Sequence, residues 1–347
     1  MNSLLIAPQW IGDAVMSEPL VRTLAARGER LSVVALPWVA PVYRAMAGVA
    51  EVIEAPFQHG GLQWRERWAL AQQLRGRFQT AYVLPNSLKS ALLPWLAGIP
   101  KRVGRLGEQR FGLITQRLPN PPRNERPPMV PFYLALAGDA PQTPTDATPH
   151  LNAPEVAAEV LETHGLTPGA YGVFAPGAEF GPAKRWPAAH YAALACRLGQ
   201  TVVLLGSPKE AQEAAAIAAA VPGDLARVVN LIGQTSLTQA LGVIAHAGWV
   251  VSNDSGLMHV AAALGVPQVA VFGSSSPLHT PPLNERARVV WLKQDASYEP
   301  ALDCAPCFQR TCPLGHMRCL HDVQPDRVAQ ALGRVASLAT QAQIEAP

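Results

Sequence analysis

Asn253, Asp254, Ser255 and Gly256 stand between an apolar run ending at Val251 and a short apolar helical stretch closed by Gly265 and Pro267. That order of residue types predicts a strand, a tight polar turn and a helix. The first free backbone N–H groups of the helix, near Ser255 to Met258, would face a bound anion with the helix dipole behind them. His259 lies four residues past Ser255, on the same helical face. An ordinary capped helix has the same letters, so the turn needs partners elsewhere in the chain.

Two further segments offer them. In Ala7-Pro-Gln-Trp-Ile-Gly-Asp-Ala-Val15, Gly12 permits a sharp bend and Asp13 falls at the start of a helix. A carboxylate there can take a proton from a hydroxyl, although an N-cap would use the same residue and would be a weaker base. Glu18, one turn on, is a less exposed substitute for it. In Ala175-Pro-Gly-Ala-Glu-Phe-Gly-Pro-Ala-Lys-Arg-Trp-Pro187, two glycines and three prolines shape a loop that carries Lys184 and Arg185. A lysine so placed neutralises a leaving diphosphate, whereas a solvated basic pair would do nothing.

Positioning these groups requires two α/β halves. The chain has 347 residues, 49% of them hydrophobic, enough for two domains with their own cores. Strands are expected at residues 4–7, 31–36, 49–54 and 80–84, with helices at 14–27, 38–46, 64–75 and 87–97. Pro- and Arg-rich 111–128 reads as an exposed, mobile loop, and Pro/Thr-rich 141–149 as a linker. The second half repeats the alternation, with strands at 172–175, 201–205, 228–231, 249–252 and 268–272. Its helices are expected at 188–198, 209–220, 237–245 and 257–264. The economical architecture is two Rossmann-like domains facing across a cleft, 1–150 and 151–325. A last helix, 326–339, with its tail to 347, would pack across the junction.

Charge is divided unequally. Residues 1–150 hold 16 Lys/Arg against 10 Asp/Glu, and residues 151–347 hold 12 against 15. A basic first half suits an anionic partner, a phosphorylated lipid surface or a nucleic acid, unless its arginines are merely scattered and solvated. Neither a secretory signal nor an apolar run of membrane-spanning length is seen, so a soluble, cytoplasmic protein is expected.

Several chemistries are excluded. No Gly-x-Gly-x-x-Gly follows a strand, no Walker A lysine motif occurs, and no Asp-x-Asp is present, which disfavours a metal-held donor diphosphate. Cys304, Cys307, Cys312 and Cys319 are spaced C-x2-C-x4-C-x6-C, with His316 and His321 interleaved. This matches neither the paired-knuckle zinc pattern nor a common ferredoxin run. Reduced thiols in a structural loop are preferred to a metal site, a disulfide comes last, and Cys196 reads as core.

Gly12-Asp13, the 176–187 segment and Ser-Asn-Asp-Ser-Gly-Leu-Met-His at 252–259 together resemble the ADP-heptose:lipopolysaccharide heptosyltransferases of glycosyltransferase family nine. Leu84-Pro-Asn-Ser-Leu-Lys-Ser-Ala-Leu-Leu-Pro94, with Lys101-Arg-Val-Gly104, is most similar to the type II members. The resemblance implies a GT-B fold with acceptor in the first half and donor in the second. It also implies inverting, metal-independent transfer of heptose from ADP-heptose to heptosyl-Kdo-lipid A, with no cofactor. Asp13 then matches the general base and Lys184 the diphosphate lysine. Asp254, Ser255, Gly256 and His259 match the donor turn, and Glu210 and Thr235 fall near the adenosine. Asn86, Lys89, Arg110, Arg117 and Arg123 are the implied acceptor residues, and Arg102, Arg105 and Arg126 are expected beside them at lipid headgroups and core phosphates. Transient contact with the cytoplasmic face of the inner membrane is implied, and no nucleic acid. Heptosyltransferase I or another inner-core heptosyltransferase would share these residues. A non-catalytic nucleotide-sugar-binding protein would need neither Asp13 nor Lys184.

Overall fold

A computed structural model describes residues 1–57, 61–122, 125–138, 147–155 and 157–344. The chain forms two compact units, Met1–Asn152 and Ala153–Pro347.

The first unit begins with β1 (Asn2–Ile6), α1 (Ile11–Met16), α2 (Glu18–Ala26), β2 (Arg30–Ala35), α3 (Ala40–Arg44) and β3 (Val49–Glu54). It continues with α4 (Trp64–Leu74), β4 (Thr80–Val83), α5 (Leu88–Leu96), β5 (Lys101–Arg105), β6 (Gln116–Leu118) and α6 (Met129–Leu134). Its six strands are parallel in the order β3-β2-β1-β4-β5-β6. Leu4, Ile6, Ala81 and Val83 bury one face of the sheet against Leu70, Leu74, Leu93 and Leu96 of α4 and α5.

The second unit contains α7 (Ala157–Thr163), β7 (Tyr171–Ala175), α8 (Ala188–Leu198), β8 (Thr201–Leu204), α9 (Ala211–Ala220), β9 (Val228–Asn230) and α10 (Leu237–Ala245). Then come β10 (Trp249–Asn253), α11 (Gly256–Ala263), β11 (Gln268–Val271), β12 (Ala287–Val290), α12 (Arg318–His321) and α13 (Pro325–Ile344). These strands are also all parallel, ordered β12-β11-β10-β7-β8-β9. Helix α13 packs on α8, β11 and β12, with Val328, Leu332 and Val335 in the core.

Both orders are the Rossmann order, in which the first strand of a unit lies between its second and its fourth. The fold is therefore the two-Rossmann composition of the GT-B class. Ligands of such sheets bind where the order reverses, outside the carboxyl ends of the two central strands. In the first unit these are β1 and β4, and in the second β7 and β10. Pairing of Ile6 with Val83, and of Ser252 with Ala175, brings the loops after each pair out side by side.

Four expectations are corrected. The helix read as 14–27 is two, α1 and α2, because Pro19 has no N–H to continue the ladder and the Ser17 hydroxyl turns back to Ala14 O at 2.7 Å. The 111–128 segment is not simply an exposed loop: it carries β6, and Ile114 is buried. Strands β5, β6 and β12 extend the sheets beyond the four and five strands read from the pattern. The start of the 209–220 helix is a separate 3-10 turn, Pro208–Glu210. The 141–149 linker lies mostly outside the described residues.

Candidate active site

At the switch point of the second unit, Lys184 ends a 3-10 turn on the loop after β7, and Asp254 follows β10 directly. The Lys184 ammonium donates to Asp254 Oδ2 at 2.5 Å, and Ser275 Oγ donates to the same oxygen at 2.5 Å. Ser275 belongs to the loop after β11, so three strand ends converge on one carboxylate. Lys184 also lies 5.1 Å from the centre of the Phe180 ring, a cation–π contact. The ion pair is nearly buried, with Asp254 side-chain exposure of 6% and Lys184 of 18%.

Ser255 is the N-cap residue of α11, but its side chain caps nothing and its buried Oγ has no hydrogen-bond partner. Gly256 opens the helix, whose first N–H groups lack intrahelical acceptors. His259 is buried on the same helix. Burial pushes its pKa down to about 4 and Lys184 adds to that, against the pull of Asp254, so the imidazole is neutral near pH 7. The arrangement offers one fixed cation, a helix N-terminus and an unengaged hydroxyl, the chemistry of a diphosphate subsite.

Asn253 holds this together and was read only as turn chemistry. Its Oδ1 accepts from the Trp186 backbone N–H at 2.9 Å and from the Tyr191 hydroxyl at 3.2 Å, while Nδ2 donates to Pro176 O at 2.5 Å. Both ends of the 176–187 loop are thereby tied to β10. Gly177 allows the close approach of Glu210, since a Cβ there would stand 2.6 Å from the Glu210 Cδ. Glu210 is buried, with Oε2 accepting from the N–H and hydroxyl of Ser207 at 2.6 and 2.7 Å. Thr235 is half-buried in the loop after β9, which reaches the β8 loop through the Gly233 N–H and Gly206 O at 3.0 Å. The residues expected at the donor thus lie at the carboxyl ends of β7, β8, β9 and β10. Ser275 was missed, although its place just past a predicted strand was the available signal.

The cysteine loop braces the same segment. Arg310 O accepts the Ala183 N–H at 3.0 Å, and Cys304, Cys307, Cys312, His316 and Cys319 line a cavity of about 20 Å³ behind Ala183 and Ser274. All five cysteines are free thiols, and among the described residues no group of three or more His, Cys, Asp or Glu is arranged to hold a metal. Burial would raise Cys312, but the backbone N–H groups of Met317, Leu314, Gly315 and His316 outweigh it and hold the thiol below its usual range. Burial, with the neighbouring thiols, pushes Cys319 up to about 11. Iodoacetamide near pH 8 is expected to alkylate Cys312 faster than Cys319, because only the thiolate attacks. Equal rates at the two positions, read by peptide mass spectrometry, would refute this ordering.

At the switch point of the first unit, Asp13 lies in the first turn of α1. The N-cap is Trp10, so Asp13 is not the cap. Burial first, and then the nearby Asp13 charge, push the Tyr133 phenol well above its ordinary range. Asn86 follows β4, its Oδ1 accepting from Arg110 Nη2 at 3.2 Å, and Lys89 lies partly exposed on α5.

Arg110 corrects its expected role as an exposed loop arginine. It is 1% exposed and donates to Arg105 O, Pro85 O, Ser87 O and Ser90 Oγ as well as to Asn86. Burial pushes its pKa down to about 10, with Glu108 opposing. Arg105 is likewise buried, donating to Pro119 O and Phe132 O. Arg102 spends its guanidinium on Leu113 O and Ile99 O. These three hold loops to strand ends. Arg117 is exposed on β6, Arg126 is partly buried beside Phe132, and Arg123 lies outside the described residues. Glu18 pairs with Arg22 and accepts the His150 N–H, so it is structurally committed.

Comparison with known proteins gives this geometry a family. The model of "Glycosyltransferase family 9 (heptosyltransferase)" matches residues 67–318. The chain is 42% identical over 350 residues to lipopolysaccharide heptosyltransferase 2 of Escherichia coli K12, covering 96% of this chain and 97% of that one. It is 40% identical over 309 residues to lipooligosaccharide heptosyltransferase 2 of Haemophilus influenzae Rd, covering 84% and 89%. The solved structure of E. coli ADP-heptose LPS heptosyltransferase II superposes with a TM-score of 0.81 at 39% identity, covering 98% of this chain and 100% of that one. With two Rossmann units, site residues at both switch points and full-length similarity, the chain belongs to glycosyltransferase family 9, the heptosyltransferases.

Proposed function

We propose that this heptosyltransferase, which moves heptose from ADP-heptose onto the lipopolysaccharide inner core, adds it to the heptose of heptosyl-Kdo-lipid A with inversion at the transferred carbon. The observation that carries the donor half of the reading is the Lys184 ammonium held at the start of α11. The second unit, 151–325 with the C-terminal helix, binds the donor, and the first, 1–150, binds the acceptor.

Asp13 draws the proton from an acceptor hydroxyl as that oxygen attacks C1 of the donor heptose, and the C1–O bond to ADP breaks. Lys184 and the N–H groups at 255–258 take up the negative charge on the departing diphosphate, so no metal is required. Neutral His259 and the Ser255 hydroxyl add hydrogen bonding without charge. Glu210 and Thr235 flank the adenosine. Asn86, Lys89, Arg117 and Arg123 meet the acceptor, and Arg110 acts there by fixing Asn86.

Among the described residues no helix is long and apolar enough to cross a membrane. The lipid-anchored acceptor is reached through reversible, electrostatic contact of the basic first unit with the cytoplasmic face of the inner membrane. Nucleic acid has no part in this.

The test is a transfer assay with ADP-heptose and Kdo-lipid A acceptors bearing zero or one heptose. Product from the one-heptose acceptor alone is expected. Product from the heptose-free acceptor would assign the chain to the first heptose addition, and donor binding with neither product would make it a non-catalytic binder.

A further inference from the structure

We propose that the outer face of α4 and α5 is a lipid-docking surface, an apolar patch with cations around it that inserts into the anionic headgroup layer carrying the acceptor. It rests on the reading of a lipid-anchored acceptor and deepens it: charge draws the first unit to the bilayer, and this face holds it there.

The sequence of α5, Leu-Lys-Ser-Ala-Leu-Leu-Pro-Trp-Leu, is apolar nearly all round, a pattern that suits a helix covered on every side. Only one side is covered. Ser90, Ala91, Leu93, Pro94 and Leu96 are buried, whereas Leu88, half-buried Leu92 and Trp95, spaced i, i+4, i+7, form a stripe on the opposite side. On the neighbouring α4, Arg67, Leu70, Ala71 and Leu74 turn inward, and Trp64 and Trp68 stand one turn apart outside. Leu62, Trp64, Trp68, Leu88 and Trp95 are each between 41% and 49% exposed, and every exposed tryptophan among the described residues belongs to the first unit.

The starts of the two helices are tied together. The buried Arg67 guanidinium donates through Nε to Leu62 O at 2.7 Å and through Nη1 to Lys89 O at 3.0 Å, so one side chain spans the gap between them. They lie beside the carboxyl ends of β3 and β4, the same sheet edge from which the Asp13 and Asn86 loops emerge. Leu62 and Leu88 therefore stand at the acceptor end of the unit.

Charge selects the occupant. Between residues 61 and 101 the chain carries Arg65, Arg67, Arg75, Arg77, Lys89 and Lys101 against Glu66 alone. Arg65 and Arg75 on or at the end of α4, and Lys101 just past α5, are exposed. A second copy of this face would set like charges against one another. An anionic bilayer accepts the cations and also the indoles, whose apolar body and polar N–H suit the headgroup boundary. Arg102, Arg105 and Arg110 spend their guanidiniums on backbone carbonyls instead.

Trp68→Ser/Trp95→Ser tests this with phosphatidylcholine vesicles containing about one-third phosphatidylglycerol, sedimented with the protein. Raising salt to about 0.5 M should weaken wild-type binding without abolishing it, because screening acts on charges and not on buried apolar area. The Ser variant is expected to lose that salt-resistant binding by about 10- to 100-fold and to show a KM for vesicle-embedded heptosyl-Kdo-lipid A raised by a similar factor. Its kcat/KM with the deacylated, soluble acceptor should be unchanged. Trp64→Phe/Trp68→Phe/Trp95→Phe keeps the face apolar, so it should bind as wild type yet lose most of the fluorescence quenching by vesicles with brominated acyl chains. Should the Ser variant fail to fold, the Phe variant decides alone. Wild-type binding abolished by salt, salt-resistant binding undiminished in the Ser variant, or quenching undiminished in the Phe variant overturns the proposal. A wild-type dimer that becomes a monomer in the Ser variant, with vesicle binding intact, overturns it too and makes the face a contact between copies. An equal loss with the soluble acceptor does the same, by placing the tryptophans in the acceptor site. Vesicle binding as expected, but no transfer to heptosyl-Kdo-lipid A by the wild type, would sink the acceptor reading and spare the surface.

Discussion

Asp13→Asn is expected to lower kcat by about 10²–10⁴-fold while ADP-heptose binds as before, because general-base assistance is worth that much and the amide cannot accept the proton. Asn keeps the size of the side chain, so the first turn of α1 should be undisturbed. Thermal denaturation and donor titration by calorimetry separate the two effects. Turnover within a few-fold of wild type would show that the proton leaves by another route.

Lys184→Ala is expected to lower kcat/KM by about 10²–10³-fold, the range found when one preorganised donor to a developing charge is removed. The variant also strands Asp254, which is nearly buried and keeps only the Ser275 hydroxyl among the bonds described above. Breaking a buried ion pair costs stability as well, so the melting temperature should fall. Adding Asp254→Asn should recover stability without recovering transfer, which distinguishes lost catalysis from lost folding. Wild-type activity is expected to survive a chelator. Chelator-sensitive wild type together with an active Lys184→Ala would refute the metal-free account.

Much of the site was legible because its residues are local to signals that sequence carries directly. Asp254, Ser255 and Gly256 sit where an apolar strand meets a helix start, and Lys184 lies in a Gly/Pro-shaped loop after a strand. Parallel sheets gather such loops at one edge, so naming the strand ends came close to naming the residues that cluster there. The helices at 188–198 and 237–245 were read to the residue, and the second carries a Ser236–Gln239 capping box. The break at Ser17 was signalled by Pro19 and overlooked.

The acceptor side was less legible for a physical reason. Sequence counts arginines but does not say which carbonyls they meet. Arg105 and Arg110 look like loop cations in 101–117, yet Arg105 Nη1 and Nη2 and Arg110 Nε and Nη1 donate to backbone oxygens brought close only after β4, β5 and α6 are in place. Strands β5, β6 and β12 were missed because all three carry basic residues, so their pattern does not separate from loop.

Local order and chemistry, then, were determined by the sequence itself: two alternating α/β halves, a carboxylate after the first strand, a lysine loop and a polar turn at a helix start. Tertiary structure decided which polar groups would be spent on the fold and on one another. Asp254 was assigned to Lys184 and Ser275, Asn253 to the loop it pins, His259 to a neutral state, and Arg110 to Asn86 and the carbonyls around it. The reason is that hydrogen bonds and desolvation depend on distance in space, and only the sheet order β3-β2-β1-β4-β5-β6 and its counterpart in the second unit bring those groups within reach.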